Sequence, residues 1–87
     1  MKLTSEQILL QGATAHKEGK LEDAERLYRA ILSTQPKHSK ANHNLGVLLL
    51  GSGKGQECLN FFRAALEASP NTAQLWFSYI DALTKLG

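Results

Sequence analysis

The sequence predicts an all-α protein, in which antiparallel helix-turn-helix repeats stack as a right-handed α-solenoid of five helices. Three observations support this fold class. The chain resembles itself when it is shifted by 34 residues. Glycine and proline recur in register between the candidate helices. Apolar residues recur at three- and four-residue spacing, and no stretch alternates with period two as a half-buried strand would.

The internal repeat pairs residues of special backbone geometry. Gly19 pairs with Gly53, and Pro36 pairs with Pro70, at positions where the backbone restricts the choice of residue. Such positions make chance matching a poor explanation for the repeat. Further identical pairs are Ser5 and Ser39, Gly12 and Gly46, Lys20 and Lys54, Arg29 and Arg63, Ala30 and Ala64, Leu32 and Leu66, Leu49 and Leu83, and Gly53 and Gly87.

The capping and turn residues within each unit predict a helix, a turn and a second helix. Ser5 and Ser39 stand where an N-cap side chain would accept hydrogen bonds from exposed backbone N–H groups. Gly19 and Gly53 stand where a left-handed residue is needed to end a helix, so each first helix runs for about fourteen residues. The remaining helices are predicted at residues 21–34, 56–68 and 72–86.

About two and a half units fit within the chain. We therefore expect a single domain over residues 1–87, which forms the N-terminal fragment of a longer protein. Its repeats are predicted at about 5–38 and 39–72, with a half repeat at 73–87.

Size, composition and charge narrow the possible functions. A chain of 87 residues forms one small domain that buries only about 60% of its unfolded surface. Its 43% hydrophobic and 21% charged residues are typical of a folded domain and not of a disordered chain. The formal net charge of +2 is too small for strong attraction to phosphates, so we expect no nucleic-acid partner.

Neither secretion nor membrane insertion is indicated by any segment of the sequence. The longest apolar run, residues 47–50, falls short of the roughly 20 residues that a membrane-spanning helix needs. The single cysteine, Cys58, cannot close an intrachain disulfide, which fits a reducing compartment. We therefore expect a cytoplasmic protein without a membrane partner.

Two segments have the spacing of a known repeat, AHKEGKLEDAERLYRAILSTQP and ANHNLGVLLLGSGKGQECLNFFRAALEASP. The residues that fit the pattern are Leu45, Gly46, Gly19, Gly53, Ala24, Tyr28, Phe62, Ala65, Pro36, Pro70 and Trp76. On these residues the chain resembles the tetratricopeptide repeat family over nearly its whole length.

Three residues depart from that family pattern. Cys58 replaces the usual alanine, Asn42 replaces a large apolar residue, and Ile80 replaces a glycine or alanine at a close helix crossing. A bulky residue at such a crossing would cost about 1–3 kcal/mol unless the helix shifts.

The resemblance implies a non-catalytic scaffold that binds a protein or peptide ligand in the concave groove of its first helices. The groove residues that it implies are Leu9, Ala13, His16, Lys40, His43, Asn44, Val47, Gln74, Phe77 and Asp81, with Glu6, Leu10, Lys17, Leu50, Ser78 and Lys85 beside them. In some family members the groove grips the C-terminal carboxylate of heat-shock chaperones, which needs several cationic donors. The equivalent positions hold Leu9, Ala13, Asn44, Gln74 and Ser78, so we reject that use.

Catalysis, cofactors and metals find little support in the sequence. His16, His38 and His43 would form a metal site only with three or four converging ligands. Cys58 is interpreted as a small buried thiol and not as a nucleophile. The glycines of residues 51–55 lie between two helices without a preceding strand, unlike a phosphate loop. We expect no enzyme activity and no cofactor.

Charged residues on the helices are interpreted as pairs on solvated faces. The predicted pairs, each four residues apart, are Glu22 with Arg26, Glu25 with Arg29, and Asp81 with Lys85.

The fifth predicted helix is apolar on nearly all sides, which is typical of a buried helix. Its candidate self-association residues are Trp76, Ile80, Leu83 and Leu86, and they would support a homo-oligomer through the last helix. An alternative function therefore stays open. The chain would then be a self-association or assembly element before a downstream catalytic domain, and the resemblance suggests a glycosyltransferase or sulfotransferase.

Overall fold

The protein folds into five α-helices, which a computed structural model describes over residues 3–86. The prediction of an all-α helical repeat is confirmed, and residues 3–86 contain no β-strand. Helices α4 and α5 begin within one residue of their predicted starts. Gly87, which the repeat pairs with Gly53, lies outside the described residues. The helices are α1 (Ser5–Lys17), α2 (Leu21–Thr34), α3 (Ser39–Gly51), α4 (Gly55–Ala68) and α5 (Ala73–Leu86).

Two glycines end the first helices, as predicted. Gly19 and Gly53 have φ angles of 80° and 78°, in the left-handed region that glycine adopts without steric cost. After Gly19, the backbone N–H of Lys20 donates to the carbonyl of Ala15 at 2.8 Å. This bond satisfies a carbonyl of the last helical turn while the chain reverses into the next helix.

The N-terminal caps of α1 and α3 lie one residue earlier than predicted. The Thr4 hydroxyl accepts from the backbone N–H of Gln7 at 3.1 Å, and the Gln7 side chain accepts from the backbone N–H of Thr4 at 2.8 Å. This reciprocal pair is a capping box. At α3 the cap is His38, whose Nδ1 accepts from the backbone N–H of Ala41 at 3.1 Å.

The prediction that Ser5 and Ser39 are caps is therefore wrong, and both serines instead join elements of the fold. The Ser39 hydroxyl donates to the backbone carbonyl of Ala65 in α4 at 3.3 Å. The Ser5 hydroxyl accepts from the side-chain amide of Gln35, which follows α2. Their recurrence in the sequence thus reflects packing within the units.

Two aromatic rings form the centre of the core, each packed against a glycine. Tyr28 and Phe62 are 1% exposed and occupy equivalent positions in α2 and α4. A Cβ atom added at Gly12 would lie 2.6 Å from Cε1 of Tyr28, and one added at Gly46 would lie 2.8 Å from Cε1 of Phe62. Only glycine lets each ring lie directly on the backbone of the preceding helix.

Two departures from the family pattern are accommodated in this core. Asn42 is 2% exposed, and its Nδ2 donates to the carbonyls of Pro36 at 3.1 Å and His38 at 3.0 Å. The buried amide is therefore paired, and it fastens the α2–α3 link to α3. Cys58 is fully buried, as predicted.

Ion pairs lie on the helix surfaces. Arg29 contacts Glu25 at 2.9 Å and Lys85 contacts Asp81 at 3.1 Å, which confirms two predicted pairs. The third prediction is wrong, because Arg26 pairs with Asp23 at 2.9 Å and not with Glu22. Side chains three residues apart are also neighbours on a helix. The Asp23 carboxylate therefore pairs with Arg26 in place of the Glu22 carboxylate.

Candidate peptide-binding groove and an exposed helix face

A pocket with a volume of 870 Å³ lies between α1 and α3. Leu9, Leu10 and Ala13 of α1 supply its apolar wall, and Lys40 and Asn44 of α3 lie opposite. These two helices begin the two complete units, so consecutive first helices together form this part of the predicted groove.

A second pocket of 460 Å³ lies on the other side of α3, towards α5. Its apolar lining includes Val47, Leu50 and Leu86, and its polar edge holds the paired Asp81 and Lys85. Gly51, Gly53 and Gly55, at the end of α3, in the turn and at the start of α4, also line it.

Two further pockets are also lined by predicted groove residues. Gln74, Phe77 and Asp81 share one on α5, and His16 shares the other with Ala13 and Asn44. Phe77 is 78% exposed and Leu10 is 69% exposed. These two apolar side chains are thus presented to solvent on the groove side of α1 and α5.

His43 occupies a different position from the other predicted groove residues, because it joins α3 to α5. Its Nε2 lies 2.7 Å from the hydroxyl oxygen of Ser78, and its ring lies 5.9 Å from the ring of Phe62 at an angle of 51°. Burial lowers the pKa of His43, and a hydrogen bond with the Asn44 side chain opposes this effect. A neutral imidazole therefore bridges the two helices.

The groove carries charges of both signs, with Glu6 and Lys40 beside the pocket of α1 and α3 and Asp81 and Lys85 on α5. Asp81 and Lys85 neutralise each other at 3.1 Å, and the positions equivalent to a carboxylate clamp hold no lysine or arginine. Such a surface offers apolar contacts and hydrogen-bonding groups to a ligand, and it is poorly suited to a terminal carboxylate.

The side chains of residues 3–86 give little basis for metal or thiol chemistry. No three His, Cys, Asp or Glu residues in that range lie close enough together to hold a metal ion. Burial raises the pKa of the Cys58 thiol, so the thiolate needed for nucleophilic attack is disfavoured. None of the helices formed by those residues is long and apolar enough to cross a bilayer.

The predicted self-association residues do not all share one surface. Trp76, Ile80 and Leu83 lie on one face of α5 and are 46%, 58% and 42% exposed. The Trp76 indole N–H donates to the carbonyl of Pro70 at 2.8 Å, which fixes the ring. Leu86 is placed elsewhere, because it is half-buried against Gly55 at the start of α4. We call Trp76, Ile80 and Leu83 the α5 face.

Comparison with known proteins supports the repeat pattern. The Tetratricopeptide repeat family model matches residues 15–86. The Protein O-mannosyl-transferase TMTC3 of Homo sapiens and that of Mus musculus are each 36% identical to the chain over 61 residues. The match covers 70% of this chain but only 7% of each relative. The family pattern and the stacked helices agree, and the chain belongs to the tetratricopeptide repeat family.

Proposed function

We propose that the chain is a non-catalytic scaffold that binds a peptide segment of a partner protein in the groove of α1, α3 and α5. Tetratricopeptide repeats generally mediate protein–protein interactions. The observation that supports a ligand here is the exposure of Phe77 and Leu10, at 78% and 69%, beside the groove pockets. Exposed apolar side chains beside pockets are typical of binding sites.

The size of the groove also supports peptide binding. The two pockets that flank α3 have volumes of 870 and 460 Å³, within the range of about 300–1,000 Å³ that is usual for ligand pockets. One pocket lies between α1 and α3 and the other between α3 and α5. A ligand that crosses α3 would therefore contact α1, α3 and α5.

Panning of a random peptide library displayed on phage tests the proposal. We expect enriched peptides whose capture is lost in a Leu10→Ser, Phe77→Ser variant, because both side chains are exposed and their loss leaves the core unchanged. The matched control is Leu21→Ser, since Leu21 is 40% exposed on α2, away from the groove. Absence of any enriched peptide, or capture unaffected by the groove substitutions, would contradict the proposal.

The alternative function is an assembly element, and the α5 face is the observation that favours it. The O-mannosyl-transferase relatives match this chain over 7% of their own length, so in those proteins the matched repeats are a small part of a transferase. We propose, as the second candidate, that the chain self-associates or precedes a catalytic domain of that general kind in a longer protein. Its domain would be the two and a half repeats at 5–38, 39–72 and 73–87.

Light scattering tests self-association through the α5 face. An Ile80→Glu, Leu83→Glu variant should be monomeric if the wild-type chain forms a dimer, because buried carboxylates without partners oppose association. Leu86 is left unchanged since its half-buried position makes it part of the fold. The control is Leu10→Glu, which adds a charge at a comparably exposed leucine. A dimer that survives the double substitution would exclude this face as its interface.

A reducing compartment, and the cytoplasm in particular, is the location that we propose. The support is Cys58, whose free thiol is buried in the core and can form no disulfide without disruption of the packing. Fractionation of cells that express a tagged full-length protein would check this, and recovery in a secretory fraction would contradict it.

A further inference from the structure

We propose that α5 packs antiparallel on α5 of a second copy of the chain, in a symmetric contact where each Ile80 lies on Ala73 of the other copy. This inference rests on the second candidate function, self-association, and adds the identity of the partner and the register of the contact. It follows from the residues that α5 presents to solvent.

The α5 face is poorly suited to the kind of helix that covers α3. At the equivalent face of α3, the Phe62 ring of α4 lies on Gly46, where an added Cβ atom would lie 2.8 Å from the ring. In α5 the same position holds Ile80. A second helix with an aromatic residue in the place of Phe62 would therefore meet a branched side chain where α4 meets bare backbone.

The exposed apolar residues of α5 instead have the spacing of a seam between paired helices. Ala73, Trp76, Ile80 and Leu83 are separated by three, four and three residues, which is the alternation by which two helices interlock. All four are exposed, and Phe77, 78% exposed, lies beside them. None of these side chains is charged, so another helix could bury the whole row. We call Ala73, Trp76, Ile80 and Leu83 the α5 seam.

The α5 seam is complementary to itself. Ala73 and Ile80 are about two helical turns apart, so they lie on nearly the same line along α5. If Ile80 lies opposite Ala73 of an antiparallel second copy, symmetry places the second Ile80 opposite the first Ala73. Each large side chain then packs on a small one, as interlocking helices require. The two-fold axis passes between Trp76 and Phe77, so the aromatic residues of the two copies meet at the centre.

The charges beside the α5 seam permit this arrangement. Between residues 71 and 84 only Asp81 is charged. Asp81 and Gln74 are also about two turns apart, so both flank the seam on one side. In the proposed register, Asp81 of one copy neighbours the neutral Gln74 of the other. The contact therefore brings no two like charges within these segments together.

The opposite edge of the molecule is unsuited to an in-line contact between copies. On α1, this edge consists of exposed polar residues, whereas the equivalent residues of α3 are buried and apolar. The pairs are Gln7 and Ala41, Gln11 and Leu45, and Thr14 and Leu48. Polar outer faces keep the ends of repeat arrays in solution. The symmetric contact of α5 with α5 is thus the one that buries apolar surface on both copies.

The area of the α5 seam predicts a weak dimer. Trp76, Phe77, Ile80 and Leu83 are 46%, 78%, 58% and 42% exposed. With about 150–250 Å² for a whole aromatic side chain and less for an aliphatic one, they supply about 400 Å² per copy. Two copies would then bury about 800–1,000 Å², at the low end of specific interfaces. We therefore expect a dimer whose copies exchange readily.

Cysteine cross-linking tests the register, with Cys58→Ala in every variant so that the introduced thiol is the single one. In the proposed dimer, equivalent residues at position 73 or 80 lie about 10 Å apart along the helix axis. A disulfide needs Cα atoms within about 7 Å. Mild oxidation of Ala73→Cys alone, or of Ile80→Cys alone, should therefore give no cross-linked dimer. An equimolar mixture of the two variants should give one.

The matched control is Leu10→Cys, because Leu10 is an exposed leucine of α1 outside the α5 seam. It should give no cross-link when mixed with either α5 variant. Ala73 and Ile80 are both exposed, so their replacement leaves the core intact, and circular dichroism of each variant checks that the helices are retained.

The outcomes separate the register from the function on which it rests. If light scattering finds a monomer at the highest soluble concentration, self-association fails and this inference fails with it. If Ile80→Glu, Leu83→Glu abolishes a dimer, but Ile80→Cys cross-links alone or the mixture gives no cross-link, the α5 face stands as the interface and the proposed register is overturned. A dimer that survives Ile80→Glu, Leu83→Glu overturns both the interface and the register.

Discussion

Helices α3 and α5 hold equivalent places in successive units, yet their apolar residues differ in how far they are buried. In α3, Leu45 and Leu49 are completely buried, since α3 packs against helices on both sides. In α5, Trp76 and Ile80 are 46% and 58% exposed. The difference shows that burial in a repeat protein is set by the neighbouring units and not by the composition of the helix itself.

The position shared by Gly46 and Ile80 makes the contrast specific. Gly46 lies under the ring of Phe62, which leaves no room for a Cβ atom. Ile80 is the equivalent residue of α5, and its side chain is 58% exposed because α5 is the last helix within residues 3–86. Within residues 3–86, Ile80 therefore meets no close helix crossing of the kind formed at Gly46, and it projects from the α5 face.

The largest effect is expected when a covered aromatic ring is compared with an uncovered one. Phe62→Ala should destabilise the fold by about 3–5 kcal/mol, because Phe62 is 1% exposed and its loss leaves a cavity. Phe77→Ala should change the free energy of unfolding by about 0.5 kcal/mol or less, since Phe77 is 78% exposed. Urea denaturation followed by helical circular dichroism measures both. Equal effects would contradict the assignment of Phe77 to the surface.

A smaller effect is expected at the close crossing itself. Gly46→Leu should destabilise the protein by about 1–3 kcal/mol, because the new side chain must displace the Phe62 ring. Ile80→Leu, at the equivalent position of α5, should be nearly neutral. Gly51→Leu is a second control in α3, since its added atoms enter open space. A neutral result for Gly46→Leu in the same urea assay would refute the tight packing described between α3 and α4.

The sequence predicted most of the fold because the decisive residues have unusual backbone requirements. Gly19 and Gly53 ended the first helices, and the ends predicted for the second helices from the prolines, at residues 34 and 68, are confirmed. The caps were misplaced by one residue, since Thr4 and Ser5 are adjacent residues that can both cap a helix. At α3, likewise, nothing in the sequence marks His38 as the cap instead of the adjacent Ser39.

The candidate groove was predicted less completely than the fold. Helical spacing indicates which residues share a face, but it does not show which side chains meet across two helices. The contact between His43 and Ser78 joins residues 35 positions apart, and no local pattern reveals it. Leu86 likewise matched the apolar pattern of α5, although it packs against Gly55 because the last turn of α5 reaches the start of α4.

The smallest expected effect concerns this link between α3 and α5, and it depends on pH. Burial lowers the pKa of His43 below its ordinary value of 6.5, so the unfolded chain binds a proton more readily than the folded one. The stabilisation due to neutral His43 is therefore fully present above pH 6.5 and is lost as the pH falls through the lower folded-state pKa. His43→Gln removes this titration, so the variant should lose less of its free energy of unfolding between pH 7.5 and pH 5 than the wild type. Urea denaturation at several pH values measures the two slopes, and slopes that coincide would show that His43 is equally protonated in the folded and unfolded chains.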